Sequence, residues 1–324
     1  MFKFGGALSA LALVATIGAG EAAEDKVVLY TAHKSSIVQK LAPMFEKETG
    51  LKAEVVQLGS NDVMRRVRAE AGAPKADVVW STTGSVLSEN ADLFEPYKPK
   101  DFDKIDPRFV SSPAWTPYTT VIYVLMVNTK MVKDAEVPAD WAALSDPKWK
   151  GKVASSRADN SGSAVQQMST VLTVFGEKGW DAYKKLAQNF VFADSSGAVP
   201  RFVADGETPL GLVLEDNALD YVNGGAPVKI AYLKDGTTTS PDGVAIIKGA
   251  PNPGPAKKFV DWAVSKTTQE ALVDVVGRRS VRVDVGAPKN VAPLSELTLV
   301  KLKSIEELGG AKALVENWRK ATGQ

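Results

Sequence analysis

The chain has 324 residues, with 39 Lys and Arg against 38 Asp and Glu, a formal net charge of +1, and no cysteine. A balance this even argues against nucleic acid or an anionic membrane as the main partner, because both usually leave a strong basic excess. The missing cysteines exclude disulfides, thiolate metal sites, cysteine nucleophiles and a lipid anchor carried on cysteine.

The start reads as an export signal, residues 1–23. Lys3 gives a positive leader, Leu8 to Ile17 a short apolar core, and Gly20 to Ala23 small residues for cleavage. That core is shorter than the roughly 20 residues a bilayer span needs, and no later run approaches it. A periplasmic protein with no membrane insertion is expected. The remainder exceeds what one hydrophobic core comfortably holds, so two domains are the expectation.

Val27 to Tyr30 forms an apolar strand, Thr31 to Ser36 a small polar loop holding the only histidine, His33, and Ile37 to Thr49 a helix ended by Gly50. Pro43 should kink that helix or split off its first turn. Lys52 to Leu58 alternates like a second strand. Ser60, Asn61 and Asp62 cap a helix carrying Val63, Val67 and Ala71. Ala76 to Trp80 is a third strand, followed by a second hydroxyl loop, Ser81 to Ser85, and another helix. This alternation implies an α/β fold with a doubly wound parallel sheet, whose ligands sit beyond the carboxyl ends of the strands. Hydroxyls leading into a helix N-terminus there favour an anion.

Pro117 to Asn128 is the longest apolar strand and is able to pass from one domain to the other. Pro138 to Val153 reads as a short capped helix, a turn and a strand start. Ser163 to Phe175 and Trp180 to Phe190 read as helices. Pro209 to Glu215 is a strand delivering Glu215 and Asp216 to its carboxyl end. As neighbours on a strand they would face opposite ways, so at most one should meet a ligand while the other caps the next helix. Ala226 to Leu233 and Gly243 to Ile247 are further strands, with Asp235 to Asp242 as a crossover. Helices follow at Ala256 to Ser265, Thr268 to Val276 and Glu306 to Thr322. The expected division is one lobe of residues 24–116 and 243–290 and a second of 117–242 and 291–324, joined by hinge strands, with the ligand between them.

Six phrases in order, VVLYTAHKSS, FEKETGLKAEVV, RAEAGAPKADVVW, WAALSDPKWKGKV, PDGVAIIKGAPN and GRRSVRVDV, resemble the periplasmic substrate-binding proteins of ABC importers. The resembling branch includes ferric-ion binding proteins. The resemblance implies a two-lobed type II periplasmic-binding-protein fold, a monomer closing on a small solute and docking to an inner-membrane permease, with no catalysis, no cofactor and no resident metal. Ferric-binding members are similar at His33 and Asp62, but they add two adjacent tyrosines after a strand. Here Leu214 to Ala218 has none and Tyr221 lies further along, so iron is kept as the alternative ligand. Other members bind sugar phosphates or phosphonates such as 2-aminoethylphosphonate. For these the chain offers Ser35, Ser36, Ser81, Thr82, Thr83, Ser85, Ser161 and Ser163 as hydroxyls, with Glu215 and Asp216 for an ammonium or sugar hydroxyls. A small organophosphorus anion is therefore expected, 2-aminoethylphosphonate ahead of sugar phosphates.

Against these stand plainer readings. Lys34 reads as a solvated charge, Ser35 and Ser36 as an N-cap, Trp115 as core, and Arg278, Arg279 and Arg282 as a solvated face or interlobe pairing. An exported hydrolase, the minor alternative, would need His33 as its base. Neither G-x-S-x-G nor H-E-x-x-H is present.

Overall fold

A computed structural model describes residue 1 and residues 25–159 and 161–324. The expected signal segment lies outside them except for Met1. The first third alternates as its sequence pattern requires. Strand β1 (Lys26–Thr31) leads to helix α1 (Ser35–Thr49), β2 (Lys52–Gln57) to α2 (Ser60–Ala69), and β3 (Val78–Thr83) to α3 (Gly84–Glu89). β1 pairs in parallel with β2 on one side and β3 on the other. Helix α1 runs unbroken through Pro43. Buried Ile37 and Leu41 before the proline and Phe45 after it pin both halves to the same core.

After a two-residue strand β4 (Phe94–Glu95) comes β5 (Thr116–Asn128), thirteen residues and all of them buried. Up to Ile122 this strand pairs antiparallel with β10 (Thr239–Ile247) and β11 (Arg279–Ser280). From Tyr123 onward it pairs antiparallel with β8 (Leu210–Leu214) and β9 (Val228–Ala231). β10 also borders β3 and β4, while β6 (Val153–Ser156) lies parallel between β8 and β7 (Phe190–Ala193). Hydrogen bonding thus runs through the order β2-β1-β3-β10-β5-β8-β6-β7. The sheet is mixed rather than the purely parallel one expected, because β5 and β10 enter it antiparallel.

The intervening helices are α4 (Trp141–Leu144), α5 (Gly162–Phe175), α6 (Gly179–Ala187), α7 (Val199–Ala204) and α8 (Glu215–Asn223). They are followed by α9 (Pro253–Ala263), α10 (Lys266–Ala271) and α11 (Ala311–Thr322). Both sections of the sheet are covered on both faces. In the first, Leu29, Trp80 and Ile246 pack against α1 and α9, and Tyr30, Val79 and Ala245 against α2. In the second, Leu125, Val153 and Leu212 pack against α5, α6 and α11, and Val124, Ala154 and Val213 against α7.

Four boundaries differ from the sequence reading. The helix expected to reach Phe190 stops at Ala187, and Phe190–Ala193 is strand β7, as its aromatic and β-branched residues favour. β10 begins at Thr239, inside the segment expected as a crossover, because pairing with β5 starts at Ile122. The helix expected from Glu306 begins only at Ala311, since Gly309 and Gly310 hold φ of 99° and 90°. α10 gives way to a π-helix, Leu272–Val276, ended by Gly277 at φ 75°.

Candidate functional site

The carboxyl ends of β1, β3 and β8 meet in a seam between the two sections of the sheet, and charge of both signs crosses it. Lys34, in the turn from β1 to α1, reaches α8: its Nζ lies 2.6 Å from Asp220 Oδ2, 3.3 Å from Asn217 Oδ1 and 3.9 Å from Asp216 Oδ2. Arg278, just past the π-helix, donates through Nε to Asp216 Oδ2 at 3.0 Å and through Nη1 to Asp242 Oδ2 at 2.7 Å. Ser81 Oγ donates to the same Asp242 oxygen at 3.0 Å. One residue along, Arg279 holds Glu215 bidentately, Nε to Oε2 at 2.6 Å and Nη2 to Oε1 at 2.8 Å. Tyr232 OH donates to Glu215 Oε1 at 2.5 Å.

The placement of Glu215 and Asp216 corrects the sequence reading. β8 ends at Leu214, and both carboxylates stand in the first turn of α8, where the helix dipole favours them. Both are buried, neither caps the helix through its side chain, and each carries its own arginine. Arg278 and Arg279 are interior groups rather than a solvated face, which a pair of consecutive acids opposite a pair of consecutive bases explains. Burial works against the Asp216 carboxylate, but Arg278 and Lys34 outweigh it and hold the group below the ordinary carboxylate range. Burial likewise opposes charge on Arg278, and Asp216 and Asp242 raise it above the ordinary arginine value.

Ser81 occupies a bulge where β3 slips against β10 between Gly243 and Val244, and it adopts a left-handed φ of 61°. This strained backbone aims its hydroxyl at Asp242. Thr82 is buried and its Oγ1 has no partner, whereas Thr83 is half-buried with its hydroxyl 3.4 Å from that of Ser85. His33 is 4% exposed, edge-on to Trp80 at 4.9 Å and to Tyr118 at 5.6 Å, and neither ring nitrogen has a partner. Burial, then Arg278 and Lys34, push its pKa well below 6.5, so the ring is neutral.

Other expected site residues are not brought into this network. Ser35 and Ser36 are exposed on α1, whose N-cap is Lys34, and Ser35 contacts only Gln57 Oε1 at 3.2 Å. Asp62 is exposed in the first turn of α2 and pairs with Arg65. Ser161 caps α5, accepting from Ala164 N at 3.3 Å, and the Ser163 carbonyl accepts from Tyr123 OH. Trp115 is core, its ring laid against Gly84 and Gly243. Sequence reasoning missed Lys34, Asp220 and Asp242. Among the described residues, no group of three His, Cys, Asp or Glu is placed to hold a metal ion.

A covered α/β sheet with a polar, charge-lined seam at its strand ends is suited to holding a small charged solute. Residues 40–298 match the family described as "Bacterial extracellular solute-binding protein", and the chain belongs to that family of non-catalytic binding proteins. An uncharacterized protein of Haemophilus influenzae is 32% identical, over 91% of this chain and 90% of its own. The Fe(3+)-binding periplasmic protein of Serratia marcescens is 26% identical, over 93% and 92%. Among solved structures, the periplasmic binding protein AfuA of Actinobacillus pleuropneumoniae, with exogenous fructose-6-phosphate bound, is 27% identical with a TM-score of 0.81, covering 92% of this chain and 98% of its own. No helix among the described residues is long and apolar enough to cross a membrane.

Proposed function

We propose that the chain is the periplasmic solute-binding component of an ABC importer, exported by its N-terminal signal. As a monomer, it closes two lobes, residues 24–116 with 243–290 and 117–242 with 291–324, on a small organophosphorus solute bearing an amine. 2-Aminoethylphosphonate is the first choice and sugar phosphates the next. The observation that carries this reading is the seam's charge: two cations, Lys34 and Arg278, meet three carboxylates, Asp216, Asp220 and Asp242. A buried charge must keep a partner, or its desolvation goes uncompensated. A solute of both signs replaces contacts of both kinds. Its phosphonate accepts from Arg278, Lys34 and the Thr82 hydroxyl, and its ammonium goes to Asp216 and Asp220. The single excess negative charge of the set favours an ammonium over sugar hydroxyls.

The Serratia relative's name favours ferric iron as a second reading. His33 and Asp62 would then have to converge, yet one ring is enclosed by Trp80 and Tyr118 and the other side chain is a surface partner of Arg65.

A thermal-shift comparison of metal-stripped protein with 2-aminoethylphosphonate, glucose 6-phosphate, inorganic phosphate and ferric citrate tests both readings. A solute at 100 times its Kd adds about 2.7 kcal/mol of stability. Stabilisation by 2-aminoethylphosphonate without metal is the expected result. Stabilisation by ferric citrate alone would replace this reading with the iron one.

A further inference from the structure

We propose that Asp216 is an internal stand-in for the solute's anionic group. Without solute its carboxylate holds Arg278 across the seam; the solute's phosphoryl oxygens displace it, while the adjacent Glu215–Arg279 pair stays made and serves as the pivot. This rests on the two-lobed, solute-binding reading above.

The two neighbouring pairs look alike in sequence and differ in how completely they are satisfied. Glu215 uses both oxygens, one on Arg279 Nε and the other on Arg279 Nη2 and Tyr232 OH, and Arg279 Nη2 also reaches the Ala292 carbonyl at 2.5 Å. Such a bidentate, closed set has nothing to exchange. Asp216 engages only Oδ2, while Oδ1 has no partner among the described residues although the residue is just 4% exposed. Native interiors leave few polar atoms idle, so a half-used buried carboxylate asks for a reason.

Arg278 differs from Arg279 in the same sense. Its second carboxylate, Asp242, stands at the boundary residue of the two lobes but pairs with Thr83 of β3 and is fixed by Ser81, so it stays on the Arg278 side when Asp216 leaves. Losing Glu215 would instead leave Arg279 with a single carbonyl oxygen. Exchange at Asp216 therefore strands no charge. The incoming anion takes the place of Asp216 on Arg278, and the released carboxylate, which lies 3.9 Å from Lys34 in the solute-free arrangement, turns to the solute's ammonium.

The chain has no cysteine, so two introduced ones carry the only labels. Exposed Gln39 on α1 and Lys184 on α6 lie on opposite sides of the seam. Spin labels there should show a short-distance population already in solute-free protein, and solute should enlarge it. D216N, which leaves Arg278 on Asp242, should shift the solute-free population at least tenfold toward a longer distance. K34Q should shift it only a few-fold, because the Lys34–Asp220 pair is 33% and 51% exposed. Saturating 2-aminoethylphosphonate should restore the short distance in both variants.

A solute-free unsubstituted chain already at the longer distance, unchanged by D216N and shortened by solute, would overturn the stand-in and leave the two-lobed reading intact. A distance that no variant and no tested solute alters would remove closure itself, and this inference with it.

Discussion

His33 is a titratable ring enclosed by two aromatic residues and two nearby cations, with no carboxylate on either nitrogen. Its folded pKa lies below that of the unfolded chain, so the unfolded state takes up the proton first and stability falls as pH drops below about 6.5. The unsubstituted protein should lose up to about 1.4 kcal/mol per pH unit there, and H33Q should lose correspondingly less. Scanning calorimetry between pH 7.5 and about pH 5 checks this, and parallel curves for the two proteins would refute it. Asp216 makes a second prediction. D216N should lower the preference for 2-aminoethylphosphonate over inorganic phosphate by about tenfold, the worth of one hydrogen bond to a charged group of ~1.5 kcal/mol. Titration calorimetry with both ligands reads the ratio. Ser81 and Asp216 were legible as candidates from their places at strand ends. Lys34 was not, because its partner Asp220 lies 186 residues away and nothing local distinguishes it from a solvated lysine.

The bulge at Ser81 depends on its neighbour strand. A Cβ on Gly243 would come within 2.5 Å of Leu87 Cδ1 and 2.5 Å of Trp115 Cε3. G243A should therefore cost about 1–3 kcal/mol by overpacking. Trimming Trp115 to Phe in the same chain should recover part of that loss, measured as a coupling in urea melts; strict additivity would contradict the steric account. The parallel trio β1, β2 and β3 was readable because each strand and helix carries its own period. Strand β10 was half hidden, since Thr239, Ser240, Pro241 and Asp242 have loop composition and become a strand only by pairing with β5. β7 was not legible: only its first residue, Phe190, falls in the expected helix, whose apolar pattern it continues.

Across the molecule, β5 pairs in both sections of the sheet, so the loss of either section strips one of its two sets of ladders. Unfolding should be one cooperative transition despite the chain's size. Tryptophans report each part separately: Trp80, Trp115 and Trp262 lie in the cores of the first section, and Trp141, Trp149 and Trp318 in that of the second, with Trp180 packed against it as the fourth of its set. Replacing either set with Phe should leave coincident urea midpoints when fluorescence is compared with circular dichroism on the same variant, and separated midpoints would show two independent units. The family was legible in the six ordered phrases. The ligand was not, because the seam is assembled from residues on six separate chain segments.

Strand β5 changes partners between Ile122 and Tyr123; the ladder to β8 keeps a single register and the ladder to β10 shifts once, between Asp242 and Gly243. Extension or sliding at that point would break hydrogen bonds on both sides, whereas rotation spread over a few backbone dihedrals breaks none. The joint is therefore a torsion bar. On the two-lobed reading proposed above, it would permit a swing about the strand's own axis more readily than sliding or extension, and a solute would enter and leave by the same rim.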